Sequence, residues 1–169
     1  MADRFQVFVG KEDFRFNAAH FSVYSGFRER LHGHNYRVSV LLEGEIGPDG
    51  YVVDFGDIKK ATRLLCARLN ERFIVPTLND RIEVSCADGQ MELLCLDDGG
   101  RYSMPEADCA MLPIAHSSAE ELALWFCDRL AEELALPADR TLLSLEVTVA
   151  EAPGQEARCC RQLAGKARA

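Results

Sequence analysis

Strict alternation of apolar and polar side chains over His34–Gly44 constrains this chain more than any other feature. Tyr36, Val38, Val40 and Leu42 share one parity, and Arg37, Ser39 and Glu43 share the other. Successive side chains of an extended chain point to opposite faces, so this segment buries its apolar half only as a strand with one face covered. Leu143–Glu151 repeats the pattern, with Leu143, Leu145, Val147 and Val149 inward. Phe5–Val9 and Phe14–His20 read as two more strands, separated by a turn at Gly10-Lys-Glu-Asp13. In the second of these, Phe14, Phe16, Ala18 and His20 lie on one face. Half-buried strands of this kind belong to an antiparallel sheet with one covered side.

Two helical periodicities supply the cover. Asp54 is a candidate N-cap, and Ile58, Thr62, Leu65, Leu69 and Phe73 follow at helical spacing. A second helix starts after Ser117-Ser118, with Glu120 and Glu121 placed for a capping box. Leu122, Phe126, Leu130 and Leu134 form its apolar face, and Leu136-Pro137 ends it. Residues 21–33 look irregular, and Gly47-Pro-Asp-Gly50 is a turn. Ile82–Cys86 and Met91–Leu96 flank Asp88-Gly89 as a hairpin. The order is strand, strand, strand, helix, hairpin insertion, helix, strand. This predicts an α+β domain over residues 1–154, with two helices on one face of an antiparallel sheet and an insertion at 80–112. The tail, residues 155–169, is polar and is expected to fray.

A length of 169 residues suits one domain, and 48% hydrophobic with 27% charged residues is an ordinary globular composition. The net charge of −8 argues against a nucleic-acid duplex or an anionic membrane as partner. No apolar run reaches the roughly 18 residues of a membrane span. No apolar signal segment follows Met1, so a cytoplasmic chain is expected. The seven cysteines are odd in number and contain no C-x-x-C pair, which favours reduced thiols.

Chemistry concentrates in a few residues. His32-Gly33-His34 places two imidazoles on one face of an extended chain, within reach of one metal ion, although such a pair also arises incidentally. His20 has the inward parity of its strand, so all three histidines can point to one side of the sheet. Three histidines with an open fourth position form a catalytic zinc pattern. Glu151 continues the inward parity of the last strand after apolar residues. Either it is a buried carboxylate that needs a partner, or the strand ends before it and it turns into water. Glu29 is either a solvated loop acid or a general base beside a metal site.

Phe16-Asn-Ala-Ala-His20, Leu31-His-Gly-His-Asn-Tyr36, Val53-Asp-Phe55 with Asp57-Ile-Lys59, Ser117-Ser-Ala-Glu-Glu-Leu122 and Val149-Ala-Glu151 occur in this order. Together they resemble the 6-pyruvoyl-tetrahydropterin synthase / 6-carboxy-tetrahydropterin synthase family across roughly residues 5–151. The resemblance implies the tunnelling fold: a four-stranded antiparallel sheet with two helices on one side, assembled edge to edge into trimers that stack as a hexamer. Active sites would lie between subunits. His20, His32 and His34 would hold zinc, and Glu151 would anchor the pterin ring through its N–H and exocyclic amine.

Two departures narrow the reading. Where family members carry a Cys four residues before H-x-H, this chain has Arg28, followed by Glu29. That arrangement resembles the type III subgroup, in which Glu serves as the base. The subgroup trims 7,8-dihydroneopterin triphosphate to 6-hydroxymethyl-7,8-dihydropterin. The Asp-His pair expected at the end of the first helix is replaced by Asn70-Glu71. Glu71 is therefore a candidate acid or base, and His116 a candidate that approaches from the second helix. Each also has a plain reading, as a solvated helix-end residue and a helix-entry residue. Arg28, Arg30 and Arg37 are candidate phosphate contacts. The alternatives are a 6-pyruvoyl- or 6-carboxy-tetrahydropterin synthase activity, or a degenerate member that binds zinc and pterin without turnover.

Overall fold

One long strand, β1 (Phe5–His20), replaces the two strands and turn expected over Phe5–His20 in the computed structural model, which describes residues 3–134 and 142–163. The expected turn is a bulge: five steps along β1 from Gly10 to Arg15 oppose two from Ser39 to Arg37. The odd excess flips the parity of the strand, so Val9 on one side and Phe14 and Phe16 on the other all face the same core.

The chain continues through a small hairpin, β2 (Val23–Tyr24) and β3 (Phe27–Arg28), into β4 (His32–Gly44) and helix α1 (Phe55–Leu69). Next come β5 (Arg72–Pro76), β6 (Ile82–Ala87), β7 (Gln90–Cys95), β8 (Arg101–Pro105) and β9 (Cys109–Leu112). Helix α2 (Ala119–Glu133), β10 (Leu142–Ala152) and β11 (Gln155–Gln162) complete the described chain.

The main sheet has six strands in the order β11-β10-β4-β1-β5-β9. Neighbours from β11 to β1 are antiparallel, whereas β5 pairs parallel to β1 and β9 parallel to β5. The α+β class expected from the sequence therefore stands, but the four-strand count is corrected to six. The polar tail is corrected as well, since Gln155–Gln162 forms the full-length edge strand β11. Its inner parity carries Ala157, Cys159 and Arg161 while Cys160 is exposed, so the apolar alternation is short and breaks after Cys159.

The covering layer follows the sequence closely. Asp54 caps α1 by accepting a hydrogen bond from the Gly56 amide at 2.6 Å. Ile58, Leu65 and Leu69 are fully buried beneath α1. Ser118 caps α2 through the Glu121 amide, while the Glu121 carboxylate bonds the Ala115 amide at 2.7 Å. Leu122, Phe126 and Leu130 meet Phe16, Tyr36, Val147 and Val149 in one core. Phe73 is not a helical residue. It lies on β5 and joins a second core. A bulge at Leu142–Ser144 turns Leu142 inward in place of Leu143. Leu136-Pro137 falls outside the described residues.

The inserted segment forms its own three-stranded sheet, β6-β7-β8, and the Asp88-Gly89 hairpin is where the sequence places it. Its Ile82, Met91, Leu93 and Cys95 pack with Phe21, Val23, Phe73, Val75 and Cys109. Among the described residues, no helix is long and apolar enough to cross a membrane.

Candidate metal centre and active site

The register of β1 against β4 assembles the three histidines. His20 lies directly opposite His32, and Ala18 opposite His34, so all three imidazoles rise from one face of adjacent strands. Gly33 lets the strands close up here. A Cβ at position 33 would lie 3.1 Å from the Ala18 carbonyl oxygen. Ring centroids are 4.6 Å apart for His20 and His32, 5.1 Å for His20 and His34, and 4.9 Å for His32 and His34.

Backbone and side-chain partners fix the tautomers. The His20 Nδ1 donates to the Ser117 carbonyl at 2.9 Å and lies 3.2 Å from the Ser117 hydroxyl, which donates to the Phe21 carbonyl. The proton therefore sits on Nδ1 and the lone pair on Nε2. Burial, reinforced by neighbouring His32, pushes the His20 imidazole down to about 4, which keeps it neutral at pH 7. Its Nε2 is buried and has no hydrogen-bond partner among the described residues. The His32 Nδ1 donates to the Arg30 carbonyl at 2.9 Å, leaving its Nε2 3.1 Å from the Nε2 of His34. One ligand atom from each histidine falls within 4.8 Å of the others.

An orphaned buried nitrogen facing two more imidazole nitrogens is costly in an empty protein and suits a cation. The donor set of three neutral imidazoles fits zinc with one position left for a water or substrate oxygen. Beneath the triad, the Tyr36 ring stacks on Phe16 at 4.6 Å. Burial pushes the Tyr36 hydroxyl well above the usual range, and Glu151 and Glu29 add to the shift.

The triad opens into a cleft of about 510 Å³ that also contains Glu29 and Glu151. The Glu29 Oε1 lies 4.0 Å from the His32 Nε2, while its Oε2 accepts the Ser22 amide at 3.1 Å. The Glu29 amide returns a bond to the Ser22 carbonyl at 2.8 Å, so backbone and carboxylate are both tied. Glu151 falls at a bulge in β10, where two steps from Ala150 to Ala152 oppose one on β11; it is half-buried and lines both the cleft and a neighbouring hollow with Arg37.

The sequence of residues 9–162 matches the family described as 6-pyruvoyl tetrahydropterin synthase. The chain belongs to the 6-pyruvoyl tetrahydropterin synthase family. A crystal structure of the Plasmodium vivax 6-pyruvoyl tetrahydropterin synthase is 40% identical with a TM-score of 0.90, covering 95% of this chain and 99% of that one. A second structure of that protein, with a glutamate described as catalytic replaced by alanine, is 38% identical with a TM-score of 0.89 over the same shares, 95% and 99%. A Methanocaldococcus jannaschii protein, provisionally named a 6-carboxy-5,6,7,8-tetrahydropterin synthase, is 32% identical over 88% of this chain and 90% of its own length.

In this member of the 6-pyruvoyl tetrahydropterin synthase family, His20, His32, His34, Glu29 and Glu151 share the cleft, whereas Glu71, His116 and the candidate phosphate contacts Arg28, Arg30 and Arg37 do not line it. Glu71 follows α1 with a positive φ of 59°, held by its amide bonding the Asn17 carbonyl at 2.6 Å. It faces a separate hollow shared with Asn17, Asn35 and Arg37 on the other side of the sheet. His116 is held at the entry to α2, with Nδ1 3.3 Å from the Asn79 amide nitrogen, and does not line the cleft. Glu71 also borders a second hollow that reaches His34, but neither Glu71 nor His116 lines the cleft that holds all three histidines. Arg28 is bound to Asp98 and Tyr102, so its Nε and Nη1 are occupied.

Sequence reasoning missed Ser117, Gln155, Glu156 and Ala157. Ser117 was read only as part of the start of the second helix, yet it is fully buried and orients His20. Gln155, Glu156 and Ala157 line the cleft from β11, the strand read as a tail.

Proposed function

We propose that this chain is a zinc-dependent lyase of pterin biosynthesis, acting in the cytoplasm on the side chain of 7,8-dihydroneopterin triphosphate and releasing 6-hydroxymethyl-7,8-dihydropterin by retro-aldol cleavage. Family membership supports a place in pterin biosynthesis. The observation that carries the finer reading is the position of Glu29, whose carboxylate stands 4.0 Å from the His32 Nε2 at the mouth of the triad. None of the seven cysteines lines that cleft. Burial pushes the thiols of Cys66 and Cys127 up to about 12, far from a reactive thiolate. A glutamate described as catalytic in the Plasmodium vivax relative agrees with a carboxylate base.

His20, His32 and His34 would hold the zinc, which when bound lowers the pKa of a coordinated hydroxyl. Glu29 removes the side-chain hydroxyl proton, held to its task by the Ser22 amide. The adjacent carbon–carbon bond then breaks: the outer fragment leaves as an aldehyde carrying the triphosphate, the pterin ring takes up the electron pair, and the exocyclic carbon is then reprotonated, Glu29 returning the proton it removed. Glu151 accepts hydrogen bonds from the ring N–H and exocyclic amine, which fixes the ring and partners a half-buried carboxylate. The two edge strands, β11 and β9, support assembly into the hexamer of stacked trimers.

Glu29→Gln tests this reading. It should lower turnover by roughly 10²- to 10⁴-fold, the usual contribution of a general base. Zinc stoichiometry, measured by metal analysis, should be unchanged. Wild-type turnover in the variant would remove Glu29 from the chemistry.

A further inference from the structure

The inserted segment between α1 and α2 neither caps the cleft nor lines it: none of residues 80–112 is among the cleft's walls. Its contacts run to β5 and to the loop that joins β1 to β4, the loop carrying Glu29. That loop has little structure of its own. Its hairpin is two residues on each side, and β2 and β3 pair only with each other. An isolated pair of such strands does not hold its place in water.

What holds it is the insertion. Phe21 and Val23, at the start of the loop, are buried in the second core among Ile82, Met91, Leu93 and Cys95. Phe21 stacks on Tyr102 with centroids 4.9 Å apart. Arg28, the residue immediately before Glu29, reaches across to the same strand and the turn before it. Its Nε donates to the Asp98 carboxylate at 2.6 Å and its Nη1 donates to the Tyr102 hydroxyl at 2.7 Å. Asp98 is itself fixed by accepting the Gly100 amide at 2.9 Å. Its neighbour Asp97 accepts the Gly26 amide at the hairpin tip at 2.9 Å and faces Arg81 at 3.6 Å. Asn79, buried at the foot of the insertion, donates to the carbonyls of Val23 and Ala115. It thereby links the loop to the segment that orients His20.

We propose that Asp98 and Tyr102 are positioning residues that act through Arg28 to hold the Glu29 carboxylate at the mouth of the triad. The inference rests on Glu29 being the base of the proposed reaction. The Arg28–Asp98 pair is half-exposed, and such pairs add little stability. Its role is geometric: a planar guanidinium held at two donors fixes the backbone at Arg28, and so the direction of the side chain that follows.

The test uses the full, zinc-loaded chain with Arg28→Gln, Asp98→Asn and Tyr102→Phe, the last of which keeps the ring that packs on Phe21. Hydrogen exchange at the Ser22 and Glu29 amides, both bonded within the loop, should quicken by about tenfold or more in Arg28→Gln. kcat should fall by roughly 10- to 100-fold, the scale of a misplaced catalytic group, with KM held within about twofold. Asp98→Asn and Tyr102→Phe should each lower kcat in the wild-type background and have no further effect in the Arg28→Gln background. Unchanged exchange at Ser22 and Glu29, or losses that add independently of Arg28, would overturn the inference. Exchange that quickens as expected, alongside full turnover in Glu29→Gln, would instead overturn the assignment of Glu29 as base.

Discussion

His20 shows how a single side chain records its purpose. Its ring is buried, its Nδ1 proton is committed to Ser117, and its Nε2 has no protein partner. The parity of β1 was enough to point it inward from the sequence. Its orientation was not legible, because that depends on Ser117, 97 positions away along the chain. Glu151 left two readings open; the strand continues through it to Ala152 with a bulge at that point, and the side chain is half-buried. The depressed pKa of His20 has a consequence for the metal-free chain. Unfolded, the imidazole titrates near its ordinary 6.5, and folded, near 4. Between these values the unfolded state binds a proton that the folded state does not. The stability present above pH 6.5 should therefore fall steadily as the pH drops towards 4. In urea titrations His20→Gln should lose part of this pH dependence. A slope identical to that of wild type would contradict the assignment.

At the scale of elements, legibility followed side-chain size. β4 and β10 alternate large apolar groups with polar ones, and both helices carry capped, periodic faces, so each was readable. β5 was not, because Phe73, Ile74, Val75 and Pro76 are all buried and an unbroken apolar run has no period. β11 failed for a different reason: apolar Cys160 faces out and Arg161 follows Ala157 and Cys159 on the inner parity, so the alternation breaks after two small groups. The strand nevertheless pairs with β10 from Ser144 to Ala152, and Cys159 packs against the main core. Deleting residues 155–169 should uncover the β10 edge and remove one wall of the cleft. The expected loss is at least about 2 kcal/mol of unfolding free energy by urea denaturation. An unchanged midpoint would show that the edge strand contributes nothing.

At the scale of the whole molecule, two cores meet along β1 and β5. One, between the helices and the antiparallel strands, holds the triad in place. The other, between the insertion and the β1–β4 loop, holds the residue proposed to act beside it. The proposed metal ligands therefore come from the sheet, and the proposed base from a loop braced by an added layer. The excess of 27 acidic over 19 basic residues adds no sign of a polyanionic macromolecule as partner. The proposed triphosphate substrate would have to find its cations locally. Arg28 is already engaged, whereas Arg37 lies beside Glu151 along the neighbouring hollow.

The most direct test of the account is to incubate the zinc-loaded protein with 7,8-dihydroneopterin triphosphate and weigh the products by mass spectrometry. The expected product is 6-hydroxymethyl-7,8-dihydropterin, with its formation slowed roughly 10²- to 10⁴-fold in Glu29→Gln. A 6-pyruvoyl or 6-carboxy pterin, or bound substrate returned unchanged, would contradict it.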